Sequence, residues 1–93
     1  MAAERTVRAV VEGRVQGVGF RAWTRGEARR LGLNGSVRNR PDGRVEAILS
    51  GPSASVEAMV AALHRGPAGA RVMAVAVEPA AETPPGGFVI LRG

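Results

Sequence analysis

Apolar and polar positions alternate over residues 6–12, with Val7, Ala9 and Val11 on one side and Thr6, Arg8 and Glu12 mostly on the other. A period of two predicts a strand with one buried face. The period then lengthens: Phe20, Trp23, Ala28 and Leu31 recur near helical spacing, predicting a helix over 21–31 with Gly32 as its stop. Pro41-Asp42-Gly43 is a turn signal between residues 35–40 and 44–50. The pair reads as a hairpin with Val45, Ala47 and Leu49 toward the core. Ser53 is expected to cap a second helix, whose Val56, Met59, Val60 and Leu63 fall at i, i+3, i+4 and i+7. Gly66 and Pro67 end it. Residues 72–77 predict another strand, 79–87 a proline- and glycine-rich loop, and 88–91 a short last strand.

The order is β, α, β, β, α, β and a short extra C-terminal strand. A hairpin between two helices of similar length packs most naturally as α+β. This is a ferredoxin-like plait (βαββαβ), one antiparallel sheet covered on one face by both helices. No repeat or linker divides the sequence, so a single domain over 1–93 is expected. That architecture hosts many functions, and function has to be read from a site.

Composition narrows the classes. A chain of 93 residues supports one modest core. There is no cysteine, which excludes disulfides and thiolate metal sites. No long apolar run or signal-peptide stretch occurs, so a soluble, cytoplasmic protein is the expectation, with no membrane partner and a monomer as the default. All 13 basic residues are arginine and the net charge is +5, which favours anionic partners, either small phosphorylated molecules or nucleic acid.

The densest chemistry lies in Gly13-Arg14-Val15-Gln16-Gly17-Val18-Gly19-Phe20-Arg21, between the first strand and the first helix. Glycines let backbone N–H groups converge, a helix N-terminus attracts anions, and an arginine fork matches a phosphoryl group. The run is not a Walker A loop, since it lacks Gly-Lys-Ser/Thr, nor does it have dinucleotide spacing. It reads either as an oxyanion cradle or as a flexible turn with an incidental arginine. Asn39 lies two positions from Val37 and so projects to the same side of its strand. Its amide either caps local backbone at the turn or orients water beside the cradle.

The glycine run, with Val15, Gln16, Gly17, Val18, Gly19, Phe20 and Arg21, resembles the signature of the acylphosphatase family. Gly32-Leu33-x-Gly35-x-Val37-Arg38-Asn39-Arg40-x-Asp42-Gly43-x-Val45-Glu46 is similar to that family's second motif. Gly51-Pro52, Gly66-Pro67-x-x-Ala70-x-Val72 and Phe88-x-Ile90 extend the likeness over nearly the whole chain. The resemblance implies hydrolysis of a carboxyl–phosphate anhydride to a carboxylate and inorganic phosphate, with no metal or other cofactor. It implies that the amides of Val15 to Phe20 and the Arg21 guanidinium bind the phosphoryl oxygens, and that Asn39 orients the attacking water. Two departures stand out. Ser36 lies where many members carry tryptophan, and Leu91-Arg92-Gly93 where many end near a tyrosine; both bear on packing and edge contacts.

The residues suit that chemistry on their own account. A carboxylate leaves without an enzymic proton, so phosphoryl transfer then depends on positioning and charge stabilisation. A monoester would expel an alkoxide and benefit from a general acid, which this region lacks.

The alternative is an arginine-rich, non-catalytic nucleic-acid-binding module. RNA-binding plaits stack bases on strand aromatics. The only aromatics here are Phe20, Trp23 and Phe88, none on the first or third expected strand, which argues against nucleic acid as a partner. A silent phosphate-binding domain is a third option, weakened by the presence of both Arg21 and Asn39. His64 reads as a solvated residue at a helix end and Trp23 as core. Arg21, Arg25 and Arg29 share a helix face, while Arg38, Arg40 and Arg44 cluster at the hairpin; most are surface charge, with a lesser role in steering anions.

Overall fold

The computed structural model describes residues 3–82, 84 and 86–92. Thr83 and Pro85 of the expected loop, Gly93, and Met1 and Ala2 lie outside the described residues. Seven elements follow in the order β1 (Glu4–Arg14), α1 (Phe20–Arg30), β2 (Asn34–Asn39), β3 (Val45–Pro52), α2 (Ser53–Arg65), β4 (Arg71–Pro79) and β5 (Phe88–Ile90). The sheet order is β4-β1-β3-β2-β5, with four antiparallel strands and both helices on one face, a ferredoxin-like plait.

The alternation in β1 sets the core. Val7 pairs with Leu49, Ala9 with Ala47 and Val11 with Val45, and all six are fully buried beneath the helices. From above, α1 contributes Phe20 and Ala28, and α2 contributes Val56, Met59 and Leu63. Burying a side chain of the size of Met59 or Leu63 contributes roughly 1.5–3 kcal/mol relative to exposure. Trp23 packs at the edge of this cluster, half-buried and edge-on to Phe20 with ring centroids 5.4 Å apart. No helix among the described residues is long and apolar enough to cross a membrane.

Several boundaries differ from the pattern-based expectation. Ser53 does not cap α2. Pro52 takes the N-cap position with extended backbone (φ −55°, ψ 138°), and Ser53, already helical, donates its N–H to Ala3 O at 2.7 Å. Strand β3 therefore runs straight into the helix and leaves no separate capping residue. Strands β1 and β4 outrun residues 6–12 and 72–77 because each pairs along its whole length, and Pro79 belongs to β4 instead of the following loop. The last strand joins β2 in parallel, Ser36 opposite Val89 and Val37 opposite Ile90, after a crossover from the other edge.

Helix α1 ends in a Schellman arrangement around Gly32 (φ 71°). Gly32 N–H donates to Arg29 O and Leu33 N–H to Ala28 O. The chain turns there into β2, which carries Asn39 back to the end of the sheet where β1 leaves off.

Candidate functional site

The cradle begins where β1 loses its regular pairing. A β-bulge shifts the β1–β4 register between Glu12 and Gly13, with Met73 as the extra residue. Gly13 (φ 135°) lies so close to β4 that an added Cβ would sit 2.2 Å from Arg71 O. This glycine serves the sheet, and the concavity is made by the other two. Gly17 (φ 78°) and Gly19 (φ 75°) adopt left-handed backbone in open space, where an added Cβ meets nothing within 4 Å. Their requirement is conformational rather than steric. Val15, 1% exposed, anchors the loop in the core, and Val18 packs against it from outside.

Gly19 is the N-cap of α1, with no side-chain cap and no acidic residue in the first turn. The first intrahelical bond runs from Trp23 N–H to Gly19 O at 3.0 Å. The N–H groups of Phe20, Arg21 and Ala22 therefore have no intrahelical acceptor and sit at the positive end of the helix dipole. Arg21 is half-buried and has no ion-pair partner among the described residues.

Asn39 ends β2 on the same side as the fully buried Val37. It meets the cradle in a cavity of about 220 Å³ lined by Val15, Gly17, Gly19, Phe20, Arg21, Ala22, Asn39 and Ile90. Six of the eight residues expected from sequence thus share one hollow. The side chains of the other two are engaged elsewhere. Val18 packs on the core, and the Gln16 carboxamide faces away, donating to Arg40 O at 2.8 Å and Arg44 O at 3.0 Å.

Two lining residues escaped the sequence reading. Ala22 follows from the helix start once its first turn is placed. Ile90 enters because β5 lies parallel to β2, with Ile90 opposite Val37. Only its place in the Phe88-x-Ile90 motif hinted at it.

Among the described residues the cavity lining has no carboxylate, histidine or cysteine. What it offers is N–H donors, one guanidinium, one amide and an apolar wall. Such a set can bind a tetrahedral anion and orient a water, and it has no side chain to donate a proton to a leaving group. His64 is exposed near the C-terminus of α2, apart from this cavity.

A larger hollow of about 360 Å³ lies on the uncovered face between Val10, Glu12, Arg40, Arg44, Ala74 and Ala76. Its arginines are committed: Arg44 pairs with Glu12 at 3.0 Å and Arg40 with Asp42 at 3.2 Å. Among the described residues no unpaired arginine lines it to recruit an anion. Elsewhere on that face Arg8 bonds Glu78 at 3.0 Å and also Glu82, and these carboxylates raise the pKa of its guanidinium.

The chain is similar to known proteins over nearly its whole length. Residues 7–90 match the acylphosphatase family model. An acylphosphatase of Mesorhizobium japonicum is 55% identical over 89 residues, covering 95% of each chain. A solved acylphosphatase from Coxiella burnetii superposes with a TM-score of 0.90 at 33% identity, covering 95% of this chain and 93% of that one. The acylphosphatase of Bacillus subtilis gives a TM-score of 0.88 at 36% identity, covering 96% and 99%.

Proposed function

The chain belongs to the acylphosphatase family and is an acylphosphatase, and from that premise we propose which of its groups carry the reaction. The amides of Val15 to Phe20, with the open first turn of α1, hold the non-bridging oxygens of the acyl phosphate. Arg21 adds a fixed positive fork against the charge that spreads over those oxygens in the transition state. Asn39 holds a water in line with the bond to be broken. The water oxygen attacks phosphorus, the P–O bond to the acyl oxygen breaks, and that oxygen leaves as a carboxylate. The water's protons pass to solvent and phosphate.

One observation carries the assignment: Arg21 and Asn39, from separate elements, line the same hollow as the two left-handed glycines. The lack of an acid in the lining fits a leaving group that departs as its own stable anion. No metal or other cofactor enters this reading. In this reading the working unit is a monomer acting in the cytoplasm, and one contiguous core supports its being a single domain.

A nucleic-acid role draws no support from the uncovered sheet face. Its central strands present Arg8, Val10, Glu12 and Glu46, with Ile48 buried, no aromatic platform, and charges that are largely paired. The test is benzoyl phosphate hydrolysis in excess EDTA with inorganic phosphate as inhibitor. The proposal expects turnover and competitive inhibition. Turnover that phosphate does not compete with would place the reaction elsewhere.

A further inference from the structure

Arg21 and Asn39 reach the cavity from different segments, and Gln16 bonds the loop before Arg21 to the hairpin that carries Asn39. Its Nε2 donates to Arg40 O at 2.8 Å and to Arg44 O at 3.0 Å. A primary amide nitrogen carries two hydrogens, so both bonds form at once. The two acceptors are the carbonyls that close the β2–β3 hairpin. Arg44 O also accepts from Arg40 N–H at 2.8 Å, and Arg40 O from Gly43 N–H at 3.1 Å.

Arg40 directly follows Asn39, whose pairing partner across the hairpin is Val45, directly after Arg44. The carboxamide thus grips both strands one residue beyond Asn39, from a loop residue one position before Gly17. We infer that Gln16 is a positioning residue, its side chain holding the water-orienting Asn39 in register with the phosphoryl cradle. The inference rests on the roles proposed above for Arg21 and Asn39.

Two features separate this from a merely structural bond. The Gln16 side chain lies outside the cavity lining, so it acts through Asn39 and not on substrate. Each acceptor carbonyl also keeps a backbone donor when the Gln16 bonds are removed. Losing the clamp leaves neither oxygen orphaned, and the cost falls on geometry more than on folding. Misplacing a reacting group by 1 Å costs on the order of 10²-fold in rate.

The experiment compares Gln16→Met, which keeps length without donors, and Gln16→Glu, which keeps shape and lacks donors when ionised. Benzoyl phosphate turnover and inhibition by inorganic phosphate are measured for both, alone and combined with Asn39→Ala. The expected result is a fall in kcat of about 10- to 100-fold, with the phosphate inhibition constant within about threefold of the parent. Added to Asn39→Ala, either change should have no further effect on kcat, because the group being positioned is gone. If the Met variant fails to fold, the Glu variant decides.

Parent-like kcat in a folded variant overturns the inference and leaves the reading of the cavity standing. So do losses that multiply with Asn39→Ala, or phosphate binding that falls as far as turnover. An inactive, folded parent overturns both.

Discussion

Gly13 and Gly19 look equivalent in the sequence motif, and the structure predicts that alanine at each will fail for different reasons. At Gly19 (φ 75°) the added methyl meets nothing within 4 Å, so the cost is conformational. Left-handed backbone costs an L residue roughly 1–2 kcal/mol, and the stiffer unfolded chain returns about 0.4–1. The net of about 1 kcal/mol lowers Tm by about 4–8 °C for a domain of this size. At Gly13 the methyl would lie 2.2 Å from Arg71 O and 2.9 Å from Met73 N, both backbone atoms that no rotamer change can move. Strand β4 must shift at the bulge, losing hydrogen bonds of about 1 kcal/mol each as well as local packing, for a total on the order of 3 kcal/mol. Thermal unfolding of parent and variants, with and without inorganic phosphate, checks the assignment. A ligand at 100 times its Kd adds about 2.7 kcal/mol of stability. Gly13→Ala should keep that increment wherever it folds, and Gly19→Ala should lose part of it. The reasoning is refuted if Gly13→Ala unfolds no earlier than Gly19→Ala, or if phosphate stabilises the Gly19 variant fully and the Gly13 variant not at all.

Asn39→Ala should lower kcat for benzoyl phosphate on the order of 10²-fold while leaving phosphate inhibition nearly unchanged; equal losses in both would make Asn39 an anion ligand. Thr24 is fully buried in α1 and its Oγ1 has no hydrogen-bond partner among the described residues. Thr24→Val should therefore stabilise the fold by about 1–2 kcal/mol in urea denaturation, whereas a loss of that size would show that the hydroxyl is bonded.

The parts of this molecule that were legible in sequence are those fixed by local chemistry. Val7, Ala9 and Val11 announced a half-buried strand because side chains alternate across a sheet whatever it pairs with. Pro41-Asp42-Gly43 marked the hairpin for the same local reason; Gly43 takes φ 92° and Asp42 accepts from Arg44 N–H at 3.0 Å. What could not be read depends on contacts distant in sequence. The parallel pairing of β5 comes from a crossover between sheet edges, and with it came Ile90 in the cavity wall. Gly13 opens the glycine run in the sequence, and only the approach of β4 shows that it serves the sheet. Gln16 was expected to act through its amide, and only the hairpin's position gives its side chain two acceptors. Ser53 carried the composition of a cap, yet a strand that runs unbroken into a helix has no place for one.

The most direct test of the account is the rate of benzoyl phosphate hydrolysis by the parent and by Arg21→Ala, side by side in excess EDTA, with folding of both checked by circular dichroism. Removing one preorganised oxyanion donor typically costs on the order of 10²–10³ in rate, and the account predicts at least that loss for the Arg21 fork in a folded variant. Near-parent turnover by Arg21→Ala would contradict it.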